Sequence, residues 1–363
     1  MDGVIRTDRV MADGRIIRYY DSKPTPRTAE DKRPKEEQPG IGELRFDPLV
    51  NEWVAISAHR QNRIFLPPKE LCPLCPTKGD LLTEIPESDF EVVVFDNRSP
   101  SFRPPKDVDA LPDYAGPETD LGLALGKCEV VCFTADHGQS FCELKPSQVR
   151  TLLEAWKDRT AELSKEPYIK HIAPFENRGE EIGVTLHHPH GQIYAYSYLP
   201  PRVEKMLAAA KRYKAEFGKV LFDEILKREL TEKVRIVAQN QYWVAYVPFA
   251  ARYPYEIHVT TLRPVADLTE LSKEQSDAFP EIALEVTKRL DGVFGIPMAY
   301  IAAWHQAPVK EGRDLLRLHW QVTSVRRAPG KLKYLAGSES AMGAFIMDVK
   351  PEESAKQLRE VQL

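Results

Sequence analysis

Between Thr185 and Tyr194 the chain reads Thr-Leu-His-His-Pro-His-Gly-Gln-Ile-Tyr, so three of its nine histidines lie beside a proline, a glycine and a glutamine. On an extended backbone alternate side chains share a face, which points His188 and His190 the same way. Pro189 fixes its own φ and pushes His188 towards an extended conformation. Gly191 admits the close approach of a ligand or of another backbone. Gln192 offers an amide donor and a carbonyl acceptor. A neutral imidazole beside such an amide suits attack on an electrophile, with the amide contacting a charged oxygen. The same residues suit a metal-binding or structural histidine cluster equally well, and the spacing alone leaves both readings open.

Three further groups carry chemistry. Cys72-Pro-Leu-Cys75 is half of a tetrahedral zinc site. No second Cys-x-x-Cys follows, so the remaining ligands would be histidines, with His137 and His188 as candidates. A closed Cys₂His₂ site leaves no position for water and is structural rather than catalytic. The competing reading is two reduced cysteines in a proline turn. Cys128, Cys132 and Cys142 read as strand or core residues. Arg60 and Arg63 could fork onto phosphate oxygens or sit solvated at the surface. Asn97 and Asn177 could contact phosphate or base, or simply form turns.

The elements that must position these groups follow from pattern. A chain of 363 residues suggests two domains or one large α/β unit, and 42% apolar residues suffice for a sizeable core. A net charge of −4 is too small to argue for nucleic acid or a charged membrane as partner. No run approaches a spanning helix. The first eighteen residues lack the apolar segment of a secretory signal, and five cysteines do not suggest a disulfide framework, so a cytoplasmic protein is the default expectation. The charged, proline-rich stretch from Asp21 to Gly40 predicts a loop or disordered arm, with order beginning near Glu43. A hairpin is expected from Glu43–Phe46 and Trp53–Ser57. Phe90–Phe95, Cys128–Thr134 and Ile182–Tyr198 are predicted strands, and Lys145–Ser164 a helix. One long helix is expected from about Arg202 to Leu230. Then come a hairpin around Asn240, a strand at Tyr255–Thr261, a helix opened by the capping box of Ser272 and Gln275, and strands at Tyr300–His305 and Leu318–Val325. The order recurs: Cys128-Glu-Val-Val-Cys-Phe-Thr is similar to Tyr255-Glu-Ile-His-Val-Thr-Thr, and His190-Gly-Gln-Ile-Tyr lines up with His319-Trp-Gln-Val-Thr. This predicts an internal duplication in which the first copy alone retains His-Pro-His.

These residues together resemble a known family. Phe175-Glu-Asn-Arg-Gly-Glu-Glu-Ile-Gly-Val-Thr-Leu-His-His-Pro-His-Gly-Gln192 is similar to the active-site stretch of galactose-1-phosphate uridylyltransferases, of the histidine-triad superfamily. The resemblance runs from about Glu43 to Ser340. It takes in Trp53-Val, His59-Arg60-x-x-Arg63, Cys72-x-x-Cys75, Phe95-Asp-Asn97, Asp136-His137, Trp304-His305-x-Ala-Pro308 and Gly337-x-Glu339. It implies an α+β fold of two tandem histidine-triad-like halves, each an antiparallel sheet with packed helices. The expected division is an arm over 1–42, halves over 43–201 and 202–350, and a tail over 351–363.

The resemblance also implies roles. His190 would attack the α-phosphorus of UDP-glucose and carry the UMP to galactose 1-phosphate. Gln192 would bond a non-bridging phosphate oxygen. Cys72, Cys75, His137 and His188 would bind one structural zinc ion. Arg60, Arg63, Asn97, Asn177 and the Gly183-Val184-Thr185 backbone would lie along the nucleotide, and Lys333, Tyr334 and Glu339 would hold the sugar. A homodimer is implied in which the arginine loop reaches the neighbour's site. Some members hold a second metal with one Glu and three His. Here His305 and His319 match two of these, while Gln321 takes the third position and Met206, with Glu204 nearby, takes that of the carboxylate, so the second site is expected to be absent. Phe345 falls near a sugar-contacting glutamine of some members. Val184 and Thr185 stand where many have Cys-Ser, and His187 is extra and should face away. Two other readings share these residues: an enzyme acting on ADP-sugars or dinucleoside polyphosphates, and a zinc-stabilised nucleotide-binding module without turnover.

Overall fold

The computed structural model describes residues 2–35, 40–62, 65–106 and 120–363. The first part of the chain forms strands β1 (Ile5–Val10), β2 (Ile16–Asp21), β3 (Glu43–Asp47), β4 (Glu52–Ile56), β5 (Val92–Asp96), β6 (Leu121–Leu123) and β7 (Gly126–Cys132), helix α1 (Pro146–Leu163), and strands β8 (His171–Arg178) and β9 (His190–Tyr196). Helices α2 (Pro201–Phe217) and α3 (Leu221–Glu232) lead to β10 (Ile236–Gln239), β11 (Trp243–Tyr246), β12 (Tyr255–Thr261), helix α4 (Lys273–Phe294), β13 (Tyr300–His305), β14 (His319–Ser324) and helix α5 (Pro351–Glu360).

Eleven strands make one antiparallel sheet in the order β1-β2-β5-β7-β9-β8-β13-β14-β12-β11-β10. The expected duplication is visible as topology. β5, β7, α1, β8 and β9 follow one another as β11, β12, α4, β13 and β14 do, and in each set the last strand inserts beside the second. The two antiparallel halves meet along β8 and β13, from Arg178 opposite Tyr300 to Phe175 opposite Ala303. The separate sheet β4-β3-β6 contains the hairpin expected around residues 43–57.

Alternation divides the sheet into two faces. Val92, Val94, Val131, Ile193 and Ala195 share a core with Val149, Leu152, Trp156 of α1 and Phe279, Ile282, Val286 of α4. Val93, Phe95, Val130 and Cys132 point the other way, into a second cluster with Ile17, Tyr19, Cys72 and Leu74. Strand β5 therefore reads as an unbroken apolar run because it is covered on both sides. In β9 the inward residues are Gly191, Ile193 and Ala195, which leaves His190, Gln192 and Tyr194 on the face away from the helices.

Four expectations need correction. Order does not begin near Glu43, and residues 1–42 are not simply an arm: β1 and β2 pair with each other and then with β5. The single helix from Arg202 to Leu230 is two, because Gly218 caps α2 in a left-handed conformation, φ 70°. The strand over Ile182–Tyr198 begins only at His190, after a turn with Gly183 at φ 80°. The tail at 351–363 carries α5, whose Ala355 and Leu358 are fully buried and whose Ser354 hydroxyl donates to the Pro254 carbonyl at 2.7 Å. Among the described residues no helix is long and apolar enough to cross a membrane.

Candidate active site

The turn preceding β9 and the start of that strand separate the two jobs of the histidine cluster. His188 is buried in the turn, with Nε2 2.9 Å from the Thr134 carbonyl. A carbonyl only accepts, so Nε2 carries the proton and the Nδ1 lone pair faces Cys75 Sγ, 3.5 Å away. His137 Nδ1 lies 3.3 Å from the same sulfur. The ligand atoms of Cys72, Cys75, His137 and His188 all lie within 4.8 Å of one another. A tetrahedral ion with ligands at about 2.0–2.3 Å sets neighbouring ligand atoms roughly 3.5 Å apart, and the sulfur–nitrogen distances match that. Burial, and then the neighbouring Cys72, push the Cys75 thiol up to about 12. A thiol held neutral in this way ionises when a cation compensates it, so the donor chemistry fits a metal of the zinc type. The loops are built to hold these donors: the Thr83 hydroxyl donates to the Cys75 carbonyl at 2.6 Å, and Gly138 N–H donates to Asp136 Oδ1 at 2.9 Å beside His137.

His190 opens β9 opposite Cys132 of β7. Its Nδ1 is 2.7 Å from the His188 carbonyl, so Nδ1 holds the proton and Nε2 keeps the lone pair. Burial lowers its pKa below the ordinary histidine value, with the carbonyl acting in the opposite sense, and the ring is neutral at pH 7. Two residues along the same face, the Gln192 carbonyl accepts from Asn97 Nδ2 at 3.4 Å, which leaves the Gln192 NH₂ to donate. Gly191 is required by a backbone rather than by a ligand: a Cβ there would lie 2.7 Å from the Phe175 carbonyl oxygen of β8.

Two cavities meet at His190. The smaller, about 220 Å³, is lined by Arg60, Phe175, Asn177, Gly183, Val184, Thr185, His190, Gly191, Gln192 and Tyr194. The larger, about 420 Å³, shares Asn177, Val184 and His190 and extends past Glu176, Arg178, Cys142 and His137. Arg60 reaches the smaller cavity of its own chain and donates to Tyr194 Oη at 3.3 Å, so it needs no second copy to get there. Arg63 lies outside the described residues. The turn at 180–185 is held from two sides: Leu66 N–H donates to the Thr185 carbonyl at 2.8 Å, and Arg326 of the second half pairs with Glu181. Lys333 and Glu339 form a buried ion pair at 2.8 Å, Tyr334 is exposed, and none of the three lines either cavity. His187 is exposed, 3.3 Å from Glu180.

Sequence reasoning passed over Tyr194, Glu176 and Arg178. Tyr194 was within reach, since it shares the face of His190 and Gln192 by alternation. Glu176 gave no signal. It is buried, and Tyr300 of the neighbouring strand β13 donates to it at 3.1 Å. Burial raises its pKa to about 7, although Arg178 and the Tyr300 hydroxyl act against this.

The matching region of the second half has a different character. His305 Nε2 is 2.9 Å from Gln321 Oε1, and Gln321 Nε2 donates to Glu256 Oε1 at 2.5 Å, which also lies 3.1 Å from His258 Nε2. The His305 and His319 rings stack at 4.9 Å. Met206 packs against an apolar cluster with Leu207 and Ala210. These polar groups hydrogen-bond to one another within the second half. Among the described residues Cys72, Cys75, His137 and His188 form the one cluster of donors close enough to share a metal.

Residues 33–200 match the galactose-1-phosphate uridyl transferase N-terminal domain, and residues 206–363 match the C-terminal domain of the same name. A Streptomyces lividans protein named galactose-1-phosphate uridylyltransferase is 40% identical over 374 residues, spanning 98% of each chain. A Thermotoga maritima protein of that name is 38% identical over 326 residues, spanning 88% of this chain and 99% of its own. A solved structure described as that of a uridylyltransferase has a TM-score of 0.78 at 33% identity, covering 87% of this chain and 97% of the other.

Proposed function

The chain belongs to the galactose-1-phosphate uridylyltransferase family, and from that premise we propose that it passes UMP from UDP-glucose to galactose 1-phosphate through a covalent adduct on His190. It is a nucleotidyltransferase of galactose metabolism. The observation that carries the residue assignment is the placement of His190, where two cavities meet, with Nδ1 tied to the His188 carbonyl and the Nε2 lone pair available.

The reaction is two displacements. His190 Nε2 forms a bond to the α-phosphorus, the bond from that phosphorus to the bridging oxygen breaks, and glucose 1-phosphate leaves with the electron pair. A phosphate oxygen of galactose 1-phosphate then attacks the same phosphorus, breaking the P–N bond and releasing UDP-galactose. No separate base is needed for the first step, because the imidazole is already neutral. The Gln192 NH₂, with its carbonyl held by Asn97, donates to a non-bridging oxygen as charge builds. Arg60, Asn177 and the backbone of Gly183, Val184 and Thr185 hold the nucleotide and its phosphates, and Arg63 joins them. Cys72, Cys75, His137 and His188 would hold a zinc ion, which would supply structural cross-linking of the loop that precedes the nucleophile.

The sugar is held by Lys333, Tyr334 and Glu339. Since these do not line the cavities at His190, this assignment places them in a homodimer, contributed by a second copy. The functional division falls near residue 201, with β1 and β2 joined to the first half and α5 to the second, and the enzyme works in the cytoplasm. The relatives at up to 40% identity are named uridylyltransferases, which favours uridine over the ADP-sugar reading.

The test is intact-protein mass spectrometry after mixing with UDP-glucose, beside a His190→Ala control. The expected result is a gain of one uridylyl group, absent in the variant and discharged by galactose 1-phosphate. An adduct with ADP-glucose in place of UDP-glucose would shift the assignment to adenylyl transfer, and no adduct with either would leave a binding module.

A further inference from the structure

The hairpin β1-β2 precedes the first matched domain, which starts at residue 33, yet it is built into the back of the metal cluster. Met11, Ile17 and Tyr19 are buried in the same apolar cluster as Cys72, Leu74 and Ile85, with Cys75 and Leu186 packed against it. The polar contacts are more specific. Glu84 is buried, and its N–H donates to the carbonyl of Pro73, between the two cysteines, at 3.0 Å. Its carboxylate accepts from Arg15 Nη2 at 2.6 Å and pairs with Arg33 Nη1 at 2.7 Å. The Arg15 guanidinium is itself buried and spends its other edges on Asp13 Oδ2, at 2.7 Å, and on the Asp96 carbonyl, at 2.8 Å. Asp96 is the neighbour of Asn97, whose side chain holds Gln192. One planar, permanently charged fork thus joins the loop bearing Cys72 and Cys75 to the loop that orients the phosphate-binding amide.

We infer that Arg15 is a positioning residue and that the N-terminal hairpin is a clamp which retains the metal and sets Gln192. This rests on reading Cys72, Cys75, His137 and His188 as a zinc site. The opposite face of the same hairpin supplies an internal control. Arg6 pairs with Asp158 at 2.9 Å and with Glu162 at 2.6 Å on α1, far from the metal loop in sequence and on the helix side of the sheet.

The experiment compares zinc content and the rate of zinc loss to a colorimetric chelator in the full-length protein, in Arg15→Met, Arg15→Lys, Glu84→Gln and Arg6→Met. Thermal midpoints and the separate KM and kcat are measured beside it. Outer contacts of metal ligands commonly control affinity by about 10–100-fold, so Arg15→Met is expected to release zinc at least about tenfold faster well below its melting temperature, with a lower kcat. Arg15→Lys keeps the charge and loses the fork, and is expected to fall between. Glu84→Gln is nearly isosteric and should follow Arg15→Met even if the latter folds poorly. Arg6→Met is expected to lower the thermal midpoint without changing zinc release. The clamp is overturned if the wild-type protein holds zinc and Arg15→Met and Glu84→Gln release it at the wild-type rate. If the wild-type protein itself binds no zinc, the metal reading fails and takes the clamp with it, a result distinguishable from the first.

Discussion

In the proposed reaction His190 and Gln192 act on one phosphorus from one strand face, and each is aimed by a single contact. The His188 carbonyl fixes the tautomer of the nucleophile, and Asn97 turns the amide of Gln192 so that its NH₂ faces outward. Gln192→Ala is therefore expected to lower kcat by about 10²–10³, the usual cost of one oxyanion donor, while zinc content and thermal midpoint stay at the wild-type values. A kcat within twofold of wild type would remove Gln192 from the mechanism. Glu176 tests the electrostatics of the same neighbourhood. Its carboxyl titrates near 7 in the fold against 4.5 in the open chain, mainly through burial. The folded state thus keeps a proton that the unfolded state has lost, and stability falls as pH rises from about 4.5 to about 7, after which the loss is complete. The wild-type protein gives up roughly 3 kcal/mol at most over that range from this group. Glu176→Gln abolishes the titration, so its urea midpoint should gain on wild type between pH 5 and pH 8. A difference that does not change with pH would mean that Arg178 and the Tyr300 hydroxyl keep the carboxylate ionised.

At the scale of elements, the strand pair β8-β9 sets where the nucleophile stands. Gly191 lets the Phe175 carbonyl approach, and a methyl group at 2.7 Å from that oxygen has no room. Gly191→Ala should separate the two strands, cost about 1–3 kcal/mol of stability, and displace His190 enough to slow adduct formation. Unchanged pre-steady-state uridylylation would show that the strands absorb the methyl elsewhere. Elements defined by local pattern were legible in the sequence: the turn at Asn240, whose side chain accepts from the N–H of Tyr242 and Trp243, the capping box of Ser272 and Gln275, and α1 with its apolar stripe. The zinc-type cluster was legible because its four donors have unusual chemistry. What escaped depended on partners distant in sequence. Charged, proline-rich composition suggested an arm, whereas Arg15 and Arg18 are buried where Glu84 and Asp96 meet them. The apolar stripe of α2 continues into α3, so a single glycine at 218 was too faint a signal for the break between them.

On the scale of the whole molecule, the two halves are joined through β8 and β13 in the sheet that also carries His190. That junction bears on the proposed sugar site. Glu339 is held by Lys333 at 2.8 Å and also accepts from the N–H of Ala336 and of Ile346, both at 3.3 Å. The segment around it is an organised turn, and it lines neither cavity at His190. In the proposed homodimer the site draws the two groups from two copies of the chain, and symmetry gives the consequence. Mix His190→Ala and Glu339→Gln chains after dissociation. Half of the dimers are heterodimers, and in each one site combines the intact His190 of one chain with the intact Glu339 of the other. Uridylyl transfer should recover to about a quarter of the wild-type rate above the residual activity of the two parents. If both groups instead came from one chain, every site in the mixture would lack one of them, and no recovery would follow even where native mass spectrometry shows that heterodimers have formed.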